Sequence, residues 1–183
     1  MSNGEMWLGV DEAKFLIESE KTLVEIGPWK RAENRETRSE RHIFETRVAV
    51  AGTIPRGVWF RITFQPSDID SATFQLDCDK PVGRTKHTLY RLDWRPTRAH
   101  TNGYHGPAEF HGLHFVMGQT HDHICLDHVI ESEGRIRSGD VQCARPINPD
   151  FENFDEALAF ACAKLNIVNR DNIPPRSAQG SLF

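Results

Sequence analysis

From Phe44 to Trp94 the chain alternates apolar and polar residues with a period of two, and this restricts the fold more than any other feature. Phe44, Thr46, Val48 and Val50 interleave with Glu45, Arg47 and Ala49. After turn signals at Gly52 and Pro55-Arg56-Gly57, Val58, Phe60, Ile62 and Phe64 interleave with Trp59, Arg61 and Thr63. Successive side chains of a strand point to opposite faces, so each run predicts a strand with one buried face. Pro66-Ser67-Asp68 supplies the next turn, and residues 72–76 and 88–94 continue the pattern around the turn-rich stretch 77–83. Strands joined this closely pair as an antiparallel meander. Residues 110–117 and 123–130 read as one more strand pair around Gly118-Gln119-Thr120.

The period changes at both ends. Residues 11–19 place Ala13, Leu16 and Ile17 on one helical face, with Asp11 and Glu12 suited to a helix N-terminus. Residues 154–165 place Phe154, Leu158, Ala161 and Leu165 in a stripe, with Asn153 as a cap. The expected fold class is therefore α+β: an antiparallel β-meander sheet with a short N-terminal helix and a C-terminal helix. Residues 30–41 are too charged for a core element and read as an exposed connection or a frayed helical turn. Residues 1–167 read as a single domain, and 168–183, with two prolines and no core pattern, as a flexible C-terminal tail.

With 183 residues, 38% of them apolar, and with 11 Phe and 4 Trp, the chain can bury a core of its own. It shows neither a secretory leader nor an apolar run of membrane-spanning length, so a cytoplasmic location and no membrane partner are expected. Cys78, Cys125, Cys143 and Cys162 are widely spaced without a C-x-x-C pair, a pattern of buried free thiols.

The net charge of −4 conceals two basic stretches. Residues 28–61 carry eight Lys or Arg against four Glu, and 80–100 carry six against Asp93 alone. Arg is the side chain suited to bidentate phosphate contacts, so Arg91, Arg95 and Arg98, with His100, are candidate contacts to RNA, DNA or a nucleoprotein partner. Glu33, Glu36, Glu40 and Glu45 interleave with the basic residues, and an ordinary solvated surface is the competing reading.

The strongest chemical signal is histidine. Seven of nine fall between His100 and His128, including His105, His111, His114, His121 and His123. Neutral imidazole ligates divalent metals and also titrates near neutrality. His121 and His123, two apart, share one face of a strand, whereas His111 and His114 at odd spacing do not. Across the expected hairpin His114 would approach His123 diagonally, with Glu109 or Asp127 as a carboxylate neighbour. His114 and His123 are thus the candidate metal ligands, with a divalent metal as cofactor.

Leu89-Tyr90-Arg91-Leu92-Asp93, His100-Thr101-Asn102 and Leu113-His114-Phe115, with Ser67–Ala72 before them, resemble a family of small uncharacterised bacterial proteins. Its frame is a strand ending in R-L-D, an H-x-N loop and a strand with H-L-H, and the likeness spans about residues 10–130. Gly112 stands where that frame has its first H-L-H histidine. The resemblance maps onto Arg91, Asp93, His100, Asn102 and His114, and implies an accessory protein of mobile elements, toxin-antitoxin or defence loci.

Three functions follow as expectations. The first is binding of nucleic acid or a nucleoprotein through the Arg-rich face, with Asp93 and Asn102 as structural or orienting residues. The second is a histidine-dependent nuclease or phosphodiesterase, with His100 or His114 as acid or base and Arg91 or Arg95 stabilising the phosphorane. The third is a protein-interaction module without catalysis, using the acidic 120–160 surface and the tail.

Overall fold

The computed structural model describes residues 8–33, 39–79, 86–130, 133–136 and 141–176. Helix α1 (Val10–Glu18) precedes β1 (Lys21–Val24) and β2 (Lys30–Glu33), which lie end to end along β3 (Glu40–Val50). Strands β3, β4 (Val58–Gln65), β5 (Asp68–Asp79) and β6 (Lys86–Trp94) form the meander read from the alternation. Beyond β6 the sheet continues with β9 (His121–Ile124) and β12 (Ala144–Pro146), giving eight antiparallel strands. A small hairpin of β7 (His100–Thr101) and β8 (His114–Phe115) and another of β10 (Val129–Ile130) and β11 (Arg135–Ile136) stand apart from it. Helix α2 (Phe154–Lys164) follows, its first turn capped by the Asn153 side chain, which accepts from the Glu156 amide. The α+β architecture is the one the alternation and the two helical stripes predict.

The register divides the sheet into a dry face and a polar face. Phe44, Ile62, Phe74 and Leu92 align across four strands and are all fully buried. Phe154 of α2 packs on them, its ring 5.2 Å from Phe74 and 6.3 Å from Trp94. Burying side chains of this size contributes about 1.5–3 kcal/mol each. On the opposite face two rows cross the sheet: Glu45, Arg61, Gln75, Arg91 and His123, and beside it Thr63, Thr73, Asp93 and His121. The meander therefore delivers its polar positions, strand by strand, to β9.

Lys21 locks the helices to this sheet. Its fully buried ammonium donates to the carbonyls of Ile17 at 2.7 Å, Ser19 at 2.6 Å and Leu165 at 2.8 Å, joining the C-terminal ends of α1 and α2. A cation is favoured at such ends because unpaired carbonyls converge there.

Four segments depart from the sequence reading. In the stretch 77–83, expected as a turn, residues 77–79 complete β5 and pair with β6, and 80–83 lie outside the described residues. Part of 30–41 is sheet: β2 pairs along β3 from Lys30↔Ile43 to Glu33↔Glu40, because a mainly exposed edge strand tolerates charge; residues 34–38 of that stretch lie outside the described residues. Residues 110–117 and 123–130 do not form a hairpin with each other, since β8 pairs with β7 and β9 inserts between β6 and β12. Within 168–183, residues 168–176 are docked, and 177–183 lie outside the described residues. Asn169 bonds both backbone groups of Leu23, the Trp29 indole donates to Pro174 O, and the Arg176 guanidinium lies 3.8 Å from the Phe154 ring centre. These contacts use single polar and cationic groups, which leave no periodic apolar pattern.

Candidate metal centre

Strand pairing alone brings three ionisable residues together on the polar face. Asp93 of β6 is directly opposite His121 of β9, and Arg91 is opposite His123. Asp93 Oδ2 lies 3.6 Å from His121 Nε2 and 3.4 Å from His123 Nε2, and all three residues are buried. Among the described residues this is the one set of three metal-ligating side chains whose donor atoms lie within 4.8 Å of one another.

Surrounding hydrogen bonds fix each group. Asp93 Oδ1 accepts from Thr73 Oγ1 at 2.9 Å, Arg91 Nε lies 2.9 Å from both carboxylate oxygens, and Oδ2 faces the imidazoles. His121 Nδ1 donates to Gln119 O at 2.8 Å, so its lone pair is at Nε2 and points at Asp93. A histidine whose other ring nitrogen bonds a carbonyl is the usual arrangement of a metal ligand, because that bond sets tautomer and orientation. His123 Nδ1 is buried without a partner. Leaving such a group unpaired costs about 1–3 kcal/mol, and its ring keeps this position with the other nitrogen aimed into the cluster.

Electrostatics favour the ligating forms. Burial alone would raise the Asp93 carboxyl, but His123, Arg91 and His121 outweigh it and hold the group well below the usual carboxylate range. Burial pushes His121 down, reinforced by His123 and His100, against the raising effects of Gln119 and Asp93. At neutral pH the set is thus a carboxylate facing a neutral imidazole at position 121.

The β7–β8 hairpin covers one side. Phe115 packs on His121 with ring centres 4.8 Å apart, and the His100 ring stacks 5.6 Å from His121 and stands 5.3 Å from His123. His100 Nε2 contacts Asn102 Oδ1 and Gln142 O, each at 2.9 Å. Two acceptors on one nitrogen place the proton there and leave Nδ1 basic. Asn102 itself pairs with β12: its Oδ1 accepts the Ala144 amide, and its Nδ2 donates to the carbonyls of Ala144 and Phe110.

The residues singled out from sequence divide accordingly. His123, Asp93, His100, Asn102 and Arg91 meet here. His114 does not: β8 points it to solvent opposite Phe115, where Nδ1 bonds Thr101 Oγ1, because the expected hairpin with β9 is absent. The carboxylates expected beside it are elsewhere, Glu109 exposed and Asp127 bound through both oxygens to Arg145. Arg95 is turned away into a clamp, donating to Asp150 at 3.1 Å and Phe151 O at 2.8 Å. Arg98 is exposed on the loop between β6 and β7. His121 and Asp93 were not read as ligands from sequence. The shared face of His121 and His123 was the available signal; the missing piece was the pairing of β9 with β6.

The four cysteines are buried free thiols, and burial pushes Cys78, Cys125 and Cys162 up to about 12. No helix of the described residues is long and apolar enough to cross a membrane. No protein-family model matches the chain, and neither the curated proteins nor the solved structures searched gave a match.

Proposed function

We propose that this protein is a divalent-metal-dependent phosphodiesterase or nuclease whose ion is held by Asp93, His121 and His123. The observation that carries the reading is the convergence of one carboxylate oxygen and two buried imidazole nitrogens, oriented by Thr73, Arg91 and Gln119. Two imidazoles and a carboxylate form a ligand set used by catalytic metal sites that keep a position open. Such an ion supplies Lewis-acid polarisation of a phosphoryl oxygen and makes water a better nucleophile at neutral pH.

The remaining roles fall to side chains beside the cluster. His100 has its basic Nδ1 free and its Nε2 proton pinned, so it would accept the proton of the attacking water while Asn102 Oδ1 and Gln142 O hold the resulting imidazolium. Arg91 uses Nε on Asp93, and the rest of its guanidinium, on a side chain 40% exposed, would neutralise charge growing on the phosphorane. Nucleic acid is the phosphodiester proposed. Binding through an Arg-rich face draws less support, since Arg47, Arg61 and Arg95 are paired with Glu25, Asp77 and Asp150.

The test is hydrolysis of bis(p-nitrophenyl) phosphate and of short RNA and DNA by metal-loaded protein. Activity that disappears on chelation, returns with metal, and falls about 10²-fold or more in His100→Ala is expected. Full activity after exhaustive chelation would refute the reading.

A further inference from the structure

The separations within the cluster carry information about which ion it takes. A charge-assisted hydrogen bond draws N and O to about 2.7–2.9 Å. Here two imidazole nitrogens converge on the same Asp93 oxygen, at 3.6 and 3.4 Å, too far apart for that bond. Ligand atoms about 2.0–2.1 Å from a common zinc ion stand about 3.4 Å apart at the tetrahedral angle. Ligands at right angles in an octahedron of that radius would stand about 2.9 Å apart. Both observed edges lie nearer the tetrahedral value than the octahedral one.

From this we infer that the ion is four-coordinate and of the zinc class, with three protein ligands and one exchangeable position; the inference rests on the metal reading above. The donor set agrees, because magnesium and calcium favour sites made mostly of oxygen. Asp93 would bind through Oδ2, the oxygen facing both imidazoles, since Thr73 holds Oδ1 and Arg91 Nε lies 2.9 Å from each oxygen, and this holds the coordination number down. His100 stands beside the ion without ligating it. Its Nε2 proton is committed to Asn102 and Gln142, and it lies outside the group of mutually close donor atoms. The fourth position is left to water, or to a substrate oxygen that displaces it.

Cobalt substitution reads coordination number directly. The metal-stripped full chain, titrated with Co2+, should develop the intense visible bands of a four-coordinate ion. Azide should shift those bands by entering the exchangeable position. Zn2+ should abolish them at equimolar amount, while excess Mg2+ should leave them in place. His100→Ala should retain the bands, and His123→Ala should lose them. If His123→Ala fails to fold, as judged by its thermal melt, His121→Gln takes its place with the same expected loss. Weak, six-coordinate bands would overturn the inference while leaving the metal reading intact. Disappearance of the bands in a folded His100→Ala would also overturn it. No cobalt uptake at all would refute both.

Discussion

Replacing Asn102 with alanine should destabilise the protein by about 3–4 kcal/mol, because the side chain does the work of an extra strand residue. β12 is the last strand of the sheet, and the amide and carbonyl of Ala144 turn outward from it. The Asn102 carboxamide meets both at 2.8 Å, and also donates to Phe110 O at 2.9 Å and accepts from His100 at 2.9 Å. Each neutral bond contributes about 1 kcal/mol net, and Ala144 is fully buried, so its two stranded groups add to the loss. Asn102→Asp should be nearly as damaging at neutral pH, since a carboxylate cannot donate to two carbonyls. Its deficit should shrink in acid, where a protonated carboxyl recovers one donor, and grow as pH rises. Urea unfolding of the three proteins gives the numbers. A loss below about 1 kcal/mol for Asn102→Ala would refute the edge-capping argument.

Lys21 gives a pH signature. Burial pushes it from 10.5 down to about 8, so between those values the unfolded chain holds more protons and stability should rise with pH. Relative to Lys21→Met, the wild type should gain up to roughly 3 kcal/mol across that window in urea melts, and a constant difference would contradict the assignment. Arg176→Ala removes the cation over Phe154 and a bond to Ile69 O, and should lower stability by about 1–2 kcal/mol while freeing residues 168–176 to protease; an unchanged cleavage pattern would count against the docked strap. His114→Ala should leave metal content and the melting temperature nearly unaltered, because His114 is exposed and its partner Thr101 can turn to water.

What the sequence discloses of this fold is what local chemistry controls. The alternation from Phe44 to Trp94 dictates which side chains are buried, and turn residues join neighbouring strands, so β3 to β6 follow from the chain itself. Asn153 and the stripe from Phe154 likewise identify α2. Strand β9 is different. It pairs with a strand 26 residues back in the chain, across the β7–β8 hairpin, and nothing in its four residues names that partner. Its short run H-D-H-I is buried on both faces: Asp122 accepts from the Tyr90 hydroxyl on one side while His121 and His123 meet Asp93 on the other. Polar residues in such a place break the pattern used to find strands, for a reason tied to the site. Hence His100, Asp93 and Asn102 were identifiable as special residues, while their convergence with His121 depended on non-local pairing. The same non-local pairing takes His114 away from the cluster.

The most direct test of the proposed metal centre is the metal content of the protein after loading with Zn2+ and dialysis, compared with that of folded Asp93→Ala, His121→Ala, His123→Ala and His114→Ala. Wild type and His114→Ala should each retain one ion per chain, and the other three should lose it. Retention by His123→Ala, or a wild type that emerges metal-free, would contradict the site.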